Sequence, residues 1–213
     1  MNSPVCYIFG ASPEVQVIEV LNIRPGDFVI AADGGFLLTR KLGLQPDLIC
    51  GDFDSMDAPP ANAPNVITLP REKDETDMFH AVQEGYNRGF RSFYIYGGFG
   101  GRFDHTLANI QTLLWLSRHE ARGFIAANRE LITVITNSEI NFTAEASGQI
   151  SVFACFGTAS GVDILGGKYE LRNATLSDDF PLGVSNEFIG NGIHIKVASG
   201  SLIIVFPINT QYK

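Results

Sequence analysis

The chain predicts an α/β domain with a doubly wound, mainly parallel sheet, followed by an all-β antiparallel sandwich. Three observations carry this. Up to about residue 137, short apolar runs alternate with stretches of helical spacing, as βαβ units do. Beyond it, short runs of alternating polarity recur between Gly and Asn punctuation, with no convincing helical period. The stretch FYIYGGFGGRFDHTLANI, residues 93–110, joins a strand, a glycine loop and a helix in that order. In an open α/β sheet this order makes a crevice at the carboxyl ends of the strands. The division between the two parts falls near residues 137–139, giving domains of residues 1–137 and 138–213.

Each element follows from local pattern. Residues 5–9 read as a first strand that stops at Gly10-Ala11-Ser12. Residues 27–32 form a second, ending at Asp33-Gly34-Gly35, after which Phe36, Leu37, Thr39 and Arg40 resume helical spacing. Residues 48–50 form a third strand, running into Gly51-Asp52-Phe53-Asp54-Ser55. A Pro- and Ala-rich connection, residues 57–64, leads to a strand at 66–69. A helix follows, with Asp74 as its N-cap and Asp77 three residues on, in the manner of a capping box. Met78, Ala81, Val82, Gly85 and Tyr86 then share one apolar face. Residues 93–96 form a buried strand, and after the glycine loop a helix begins at about Thr106. The apolar runs 124–127 and 131–136 complete the first part. In the second part, strands are expected at 150–156, 162–165, 193–197 and 202–206, with a hairpin turn at Ala198-Ser199-Gly200-Ser201 between the last two.

Composition narrows the function. A hydrophobic content of 45% supports a sizeable core, and a net charge of −8 argues against nucleic acid or an anionic membrane as a partner, since both need basic surface. No apolar run reaches the roughly 18 residues of a membrane span, and the start MNSPVCYIFG lacks the features of a signal peptide. Cys6, Cys50 and Cys155 show neither metal spacing nor a paired framework, which fits a cytoplasmic protein with reduced thiols.

An acidic protein that binds phosphates must do so locally. Gly97, Gly98, Gly100 and Gly101 let backbone N–H groups approach phosphate oxygens without side-chain clash, and Arg102 can fork onto the same oxygens. Asp33, Asp52, Asp54, Asp74 and Asp77 each fall at the end of a predicted strand or the start of a helix, so a parallel sheet gathers them at one edge. In an extended chain Asp52 and Asp54 lie on the same side, about 6–7 Å apart. At an effective dielectric near 20 their charges repel by roughly 2–3 kcal/mol. Oxygen-only donors of this kind suit Mg²⁺ or Mn²⁺. For Asp74 alone, a helix cap explains part of the pattern. The loop is neither a Walker A, because no Gly-Lys-Ser/Thr follows, nor a Gly-x-Gly-x-x-Gly fingerprint. From the residues themselves the reading is a metal-dependent enzyme of phosphoryl or pyrophosphoryl transfer, with an unspecified acceptor. His105 reads as a positioning group beside Arg102 and Asp104.

Four motifs in order then resemble the thiamine pyrophosphokinase family: Ala32-Asp33-Gly34-Gly35, Gly51-Asp52-Phe53-Asp54-Ser55, Lys73-Asp74-Glu75-Thr76-Asp77, and the run from Gly97 through Arg102, Asp104 and His105 to Asn109. Ser185-Asn186-Glu187-Phe188 resembles the family's C-terminal sandwich. The resemblance implies a homodimer that transfers a diphosphate from ATP to the hydroxyl of thiamine, giving thiamine diphosphate and AMP. It implies that Asp33, Asp52, Asp54 and Asp77 hold Mg²⁺, with Asp52, Asp54, Asp77 and Lys73 as the catalytic set. Gly34, Asp74, Thr76, Gly98, Gly100, Gly101, Arg102, Asp104, His105 and Asn109 would hold the nucleotide, and Ser185 and Asn186 would face the thiamine. Either Asp77 or Asp54 could accept the hydroxyl proton. A related transferase acting on another alcohol, and a non-catalytic thiamine or nucleotide sensor, are the alternatives.

Overall fold

The computed structural model describes residues 3–12, 21–53 and 65–213 and divides the chain into two compact units. The first comprises residues 1–112 with 120–128, the second residues 113–119 with 129–213.

The first unit holds β1 (Cys6–Phe9), β2 (Phe28–Ala32), β3 (Leu48–Gly51), β4 (Val66–Thr68), β5 (Ser92–Tyr96) and β6 (Arg122–Ala127). They pair in the order β6-β5-β1-β2-β3-β4, and every pair is parallel. The order runs outward from β1 in both directions, so the topological switch lies between β1 and β5, where open parallel sheets bind ligands. β1 and β3 are buried at every position and read as continuous apolar runs, as strands covered on both faces do. Tyr7, Tyr94 and Phe124 stack across β1, β5 and β6, with centroid separations of 5.9 and 5.0 Å.

Three helices belong to this topology: α1 (Gly35–Lys41), α2 (Asp77–Asn87) and α3 (Phe103–Arg118). α2 buries Met78, Ala81, Val82 and Gly85, the predicted apolar face. Gly85 is required there, because a Cβ would stand 2.7 Å from Cys6 Sγ. The cap of α2 is Thr76 and not Asp74: Thr76 is extended, and its Oγ1 accepts from Phe79 N at 3.1 Å. Asp74 is exposed, and the hydroxyl two residues nearer the helix satisfies the free N–H instead. Thr76→Ala is expected to cost about 1 kcal/mol, read as a lower urea midpoint at unchanged slope.

Asp27 ties the start of β1 to the approach of β2. Its carboxylate accepts from Val5 N and from Arg24 N, each at 2.8 Å, and lies 3.5 Å from Arg24 Nε. Burial alone would raise its pKa; the two N–H donors and Arg24 outweigh burial and hold it below the ordinary 3.8. A depressed carboxylate contributes stability that is present above its unfolded pKa and lost as pH falls through the folded one. Asp27→Asn is therefore expected to cost about 2–3 kcal/mol at pH 7, with the gap to wild type closing below about pH 3.8. Urea unfolding at pH 7 and pH 3 checks both statements.

The second unit contains β7 (Glu130–Thr136), β8 (Glu139–Asn141), β9 (Gln149–Ala154), β10 (Ala159–Leu165), β11 (Leu171–Leu176), β12 (Gly183–Glu187), β13 (His194–Ser199) and β14 (Ser201–Pro207). Strands β12-β9-β14-β7 pair antiparallel in that order, and β11-β10-β13-β8 form a separate antiparallel sheet. Alternate residues such as Ile150, Val152, Leu202, Ile204 and Phe206 in the one set, and Val162, Ile164, Ile195 and Val197 in the other, are buried.

Two expectations need correction. Residues 131–136 do not extend a parallel array: as β7 they pair antiparallel with β14 from Leu131↔Phe206 to Thr136↔Ser201. The turn at Ala198-Ser199-Gly200-Ser201 does not close a hairpin either. β13 pairs with β10 and β8, while β14 pairs with β7 and β9, so the turn carries the chain from one sheet to the other. Gly200, at φ +105°, makes this corner, and Asn137 clamps it: Gly200 N donates to Asn137 Oδ1 at 2.9 Å and Asn137 N to Gly200 O at 3.1 Å.

Candidate active site

A crevice of about 780 Å³ opens at the carboxyl ends of β1, β2 and β5. Its floor is backbone. β1 ends at Gly10, whose N–H donates to Tyr96 O at 2.7 Å; Ser12 N donates to Gly97 O at 3.1 Å and Ser12 Oγ to Phe99 O at 2.5 Å. The first turn and the glycine loop are therefore bonded to each other. Gly97 has φ +67°, and a Cβ there would stand 2.3 Å from Gly10 O. Asn109, buried on α3, donates through Nδ2 to Gly98 O at 2.6 Å and holds the loop from its other side. Gly100 and Gly101 are also left-handed, and α3 starts at Phe103, three residues before the expected Thr106. The crevice thus meets the N-terminus of a 16-residue helix, where free N–H groups and the helix dipole favour an anion.

The acidic edge comes from β2, β3 and α2. Asp33 follows β2 at φ +46°, a conformation costly for a residue with a Cβ. Its N–H donates to Cys50 O at 2.7 Å, and Gly51 leaves room for it, since a Cβ on Gly51 would lie 2.9 Å from Asp33 Cα. Asp52 follows β3 and is set by Phe53, which packs on Ala31, Ile49 and Phe36. Asp77 opens α2. Lys73 Nζ bridges the latter two, 3.4 Å from Asp52 Oδ2 and 3.1 Å from Asp77 Oδ1, with side chains only 16%, 15% and 22% exposed for Lys73, Asp52 and Asp77. Burial pushes the Asp77 pKa up; Lys73 pulls it down, but Asp52 and Asp33 push it up again, and the balance is above the ordinary value. Burial acts to lower the Lys73 pKa, and its bonds to Asp77 and Asp52 more than reverse this.

Asp33 Oδ1 is buried without a hydrogen-bond donor, whereas Asp77 Oδ1 faces the Lys73 ammonium at 3.1 Å. An orphaned carboxylate oxygen in an all-oxygen set fits a hard divalent cation. Among the described residues no three ligating side chains are already gathered around one point. Asp54, expected to complete the set, lies outside the described residues.

Arg102 and His105 line the crevice beside the glycine loop. Arg102 grips Asp104 through two contacts, Nε–Oδ1 at 3.1 Å and Nη2–Oδ2 at 2.5 Å, and both side chains are mostly exposed. This guanidinium holds the Asp104 carboxyl below its ordinary value. Thr76, Gly98, Gly100, Gly101 and Asn109 also line the crevice. Gly34, Asp52, Asp74 and Asp104 are not in its lining; Gly34 caps α1, and Asp52 reaches the crevice wall through Lys73. Sequence reasoning missed Ser12, Arg71, Glu75 and Met78. The signal for Ser12 was present, since Gly10-Ala11-Ser12 ends a strand on the same edge as the glycine loop.

Ser185 and Asn186 lie on β12 in the second unit. Ser185 is exposed at φ +56°. Asn186 is buried: Oδ1 accepts from Tyr169 N and Glu187 N, each at 2.9 Å, and Nδ2 donates to Tyr169 O at 2.7 Å. It fixes Tyr169, whose ring is exposed and carries Lys168 Nζ 5.5 Å from its centroid.

Comparison with known proteins identifies the family. The sequence is 26% identical to Thiamin pyrophosphokinase 1 of Caenorhabditis elegans, over 98% of this chain and 91% of that one. It is 26% identical to thiamine pyrophosphokinase of Bacillus subtilis, over 83% of this chain and 85% of the relative. The crystal structure of thiamine pyrophosphokinase from Bacillus subtilis has the same fold, with a TM-score of 0.82 at 23% identity, over 96% of this chain and 99% of that one. Residues 23–125 match the family model for the thiamin pyrophosphokinase catalytic domain, and residues 137–202 match that for its vitamin B1 binding domain. With both models of one family matched in order across most of its length, the chain belongs to the thiamin pyrophosphokinase family.

Proposed function

We propose that the protein is a thiamine diphosphokinase that transfers a diphosphate group from ATP to the hydroxyl of thiamine and releases AMP, using Mg²⁺. The observation that carries this reading is one crevice in which a glycine cradle meets the half-buried carboxylates of Asp33 and Asp77, the first with an oxygen that has no donor. Asp33, Asp52 and Asp77, with Asp54, would hold the metal, which when bound neutralises phosphate charge and polarises the phosphorus under attack.

The protein's own work is positioning. Glycine-loop N–H groups and the start of α3 receive phosphate oxygens, and Asn109 keeps the loop open by holding Gly98 O. Arg102, once it leaves Asp104, forks onto the same oxygens. The hydroxyl proton goes to a carboxylate. Asp77 and Asp54 are the candidates.

Residues 1–137 would carry the nucleotide and metal, and residues 138–213 the thiamine. Ser185 is then a direct contact, whereas Asn186 acts through Tyr169. Homodimerisation is supported by exposed Phe180, Leu182, Val184 and Ile189 on and around β12, an apolar face that a second copy would cover. Light scattering at micromolar concentration is expected to give twice the 23.2 kDa chain mass. Free, buried Cys6, Cys50 and Cys155 fit a reducing, cytoplasmic setting, and no helix among the described residues is long and apolar enough to cross a membrane.

A panel of alcohols tests the acceptor. With ATP and Mg²⁺, mass analysis is expected to show a diphosphate-bearing product from thiamine alone; comparable transfer to another alcohol would overturn the assignment.

A further inference from the structure

We propose that Lys73 is a stand-in cation for the metal: in the metal-free protein its ammonium neutralises Asp52 and Asp77, and a divalent ion must displace it before taking those two carboxylates. The inference rests on the reading of these aspartates as metal ligands.

Geometry carries it. Lys73 Nζ lies 3.4 Å from Asp52 Oδ2 and 3.1 Å from Asp77 Oδ1, on the carboxylates a divalent ion would take, and all three side chains are largely screened from water. Two carboxylates brought this close to one ammonium, with Asp33 also acting on Asp77, would repel each other if nothing stood between them. A charged lysine therefore stabilises the empty site. A divalent ion drawn onto Asp52 Oδ2 and Asp77 Oδ1 would meet the ammonium already held there, and two cations so close together repel. Lys73 also donates to Pro70 O at 3.1 Å, so its head rests on the segment before α2 and has a four-carbon stem on which to swing away. Displaced, it remains at the crevice wall, where phosphate oxygens would take it up.

The displacement is measurable without turnover. Lysines are pulse-labelled with acetic anhydride in the nucleotide-free protein, with and without Mg²⁺, and each site is read by mass spectrometry. Labelling of Lys73 is expected to rise about fivefold or more on saturation with Mg²⁺, as its ammonium leaves two charged partners. Labelling of Lys168, which pairs with Glu187 in the other unit, should not change. Calorimetric titration of Lys73→Met with Mg²⁺ is expected to show about tenfold tighter binding than wild type, since no competing cation must be moved. Arg71→Met removes another cation of the crevice, one that pairs with neither carboxylate among the described residues, and should change affinity by less than about threefold. Mg²⁺ binding with Lys73 labelling unchanged, or equal tightening in both variants, would overturn the proposal while leaving the metal site standing. No Mg²⁺ binding to wild type or Lys73→Met would remove the metal reading and this inference with it.

Discussion

Asp77→Asn is expected to lower turnover by about 10³-fold or more while leaving the fold intact. The side chain opens α2, but the helix does not depend on it: the cap is Thr76, and the apolar face begins at Met78. What the substitution removes is charge and an oxygen. Asp77 Oδ1 faces Lys73 at 3.1 Å, and the neutral amide oxygen that replaces it binds a hard cation more weakly and cannot accept a proton. Stability should hold or rise slightly. A carboxyl whose folded pKa is raised contributes stability below its unfolded pKa, near 3.8, and loses that contribution as pH rises through the folded value. At neutral pH the ionised group is thus a small liability, offset in part by Lys73. Steady-state kinetics and thermal unfolding on the same sample check both halves. Near-normal activity would remove Asp77 from the site, and a melting temperature lower by ten degrees would mean that the loss is structural.

Gly97→Ala is expected to be as damaging to activity, and damaging to stability as well. At φ +67° a residue with a Cβ costs about 1–2 kcal/mol in the backbone alone. The added carbon would also meet Gly10 O at 2.3 Å, a backbone atom that cannot swing aside. Relief requires separating the β1 turn from the glycine loop, which breaks Gly10 N to Tyr96 O and Ser12 N to Gly97 O. The total is about 3–4 kcal/mol, with loss of the phosphate cradle. Gly43→Ala is the control: Gly43 is also left-handed, at φ +68°, but a Cβ there meets nothing. It should cost about 1–2 kcal/mol and leave activity unchanged. Equal effects from the two substitutions would show that backbone strain, and not the contact with Gly10, governs the loop.

Much of this architecture was legible in the residues because the relevant signals are local. Strands β1, β2, β3 and β5 are continuous apolar runs ending in Gly or Asp, and a buried parallel strand has no other appearance. The crevice was legible for the same reason: Gly10, Asp33 and Gly97 stand where strands end, and Arg102 stands where the glycine loop meets α3. What was missed depends on pairing at a distance. β8, β11 and β12 are short or largely exposed edge strands, with polar residues such as Arg172, Asn173 and Ser185, and carry no apolar run to announce them. Residues 198–201 have the composition of a hairpin turn, yet the two flanking strands enter different sheets, which only their partners decide. Asn186 shows the same limit at a side chain. The family resemblance marked it as facing the thiamine, but that its amide also bonds the backbone of Tyr169 could not be read, since no spacing in the sequence connects the two.

The most direct test of the account is the nucleotide product. The protein is incubated with Mg²⁺, thiamine and ATP carrying label in both the β- and γ-phosphoryl groups, and AMP, ADP and thiamine products are quantified together. Transfer of the intact diphosphate predicts AMP and doubly labelled thiamine diphosphate in equal amounts, and no AMP when thiamine is left out. ADP with a singly labelled thiamine monophosphate would contradict diphosphate transfer, and AMP formed at the same rate without thiamine would contradict thiamine as the acceptor.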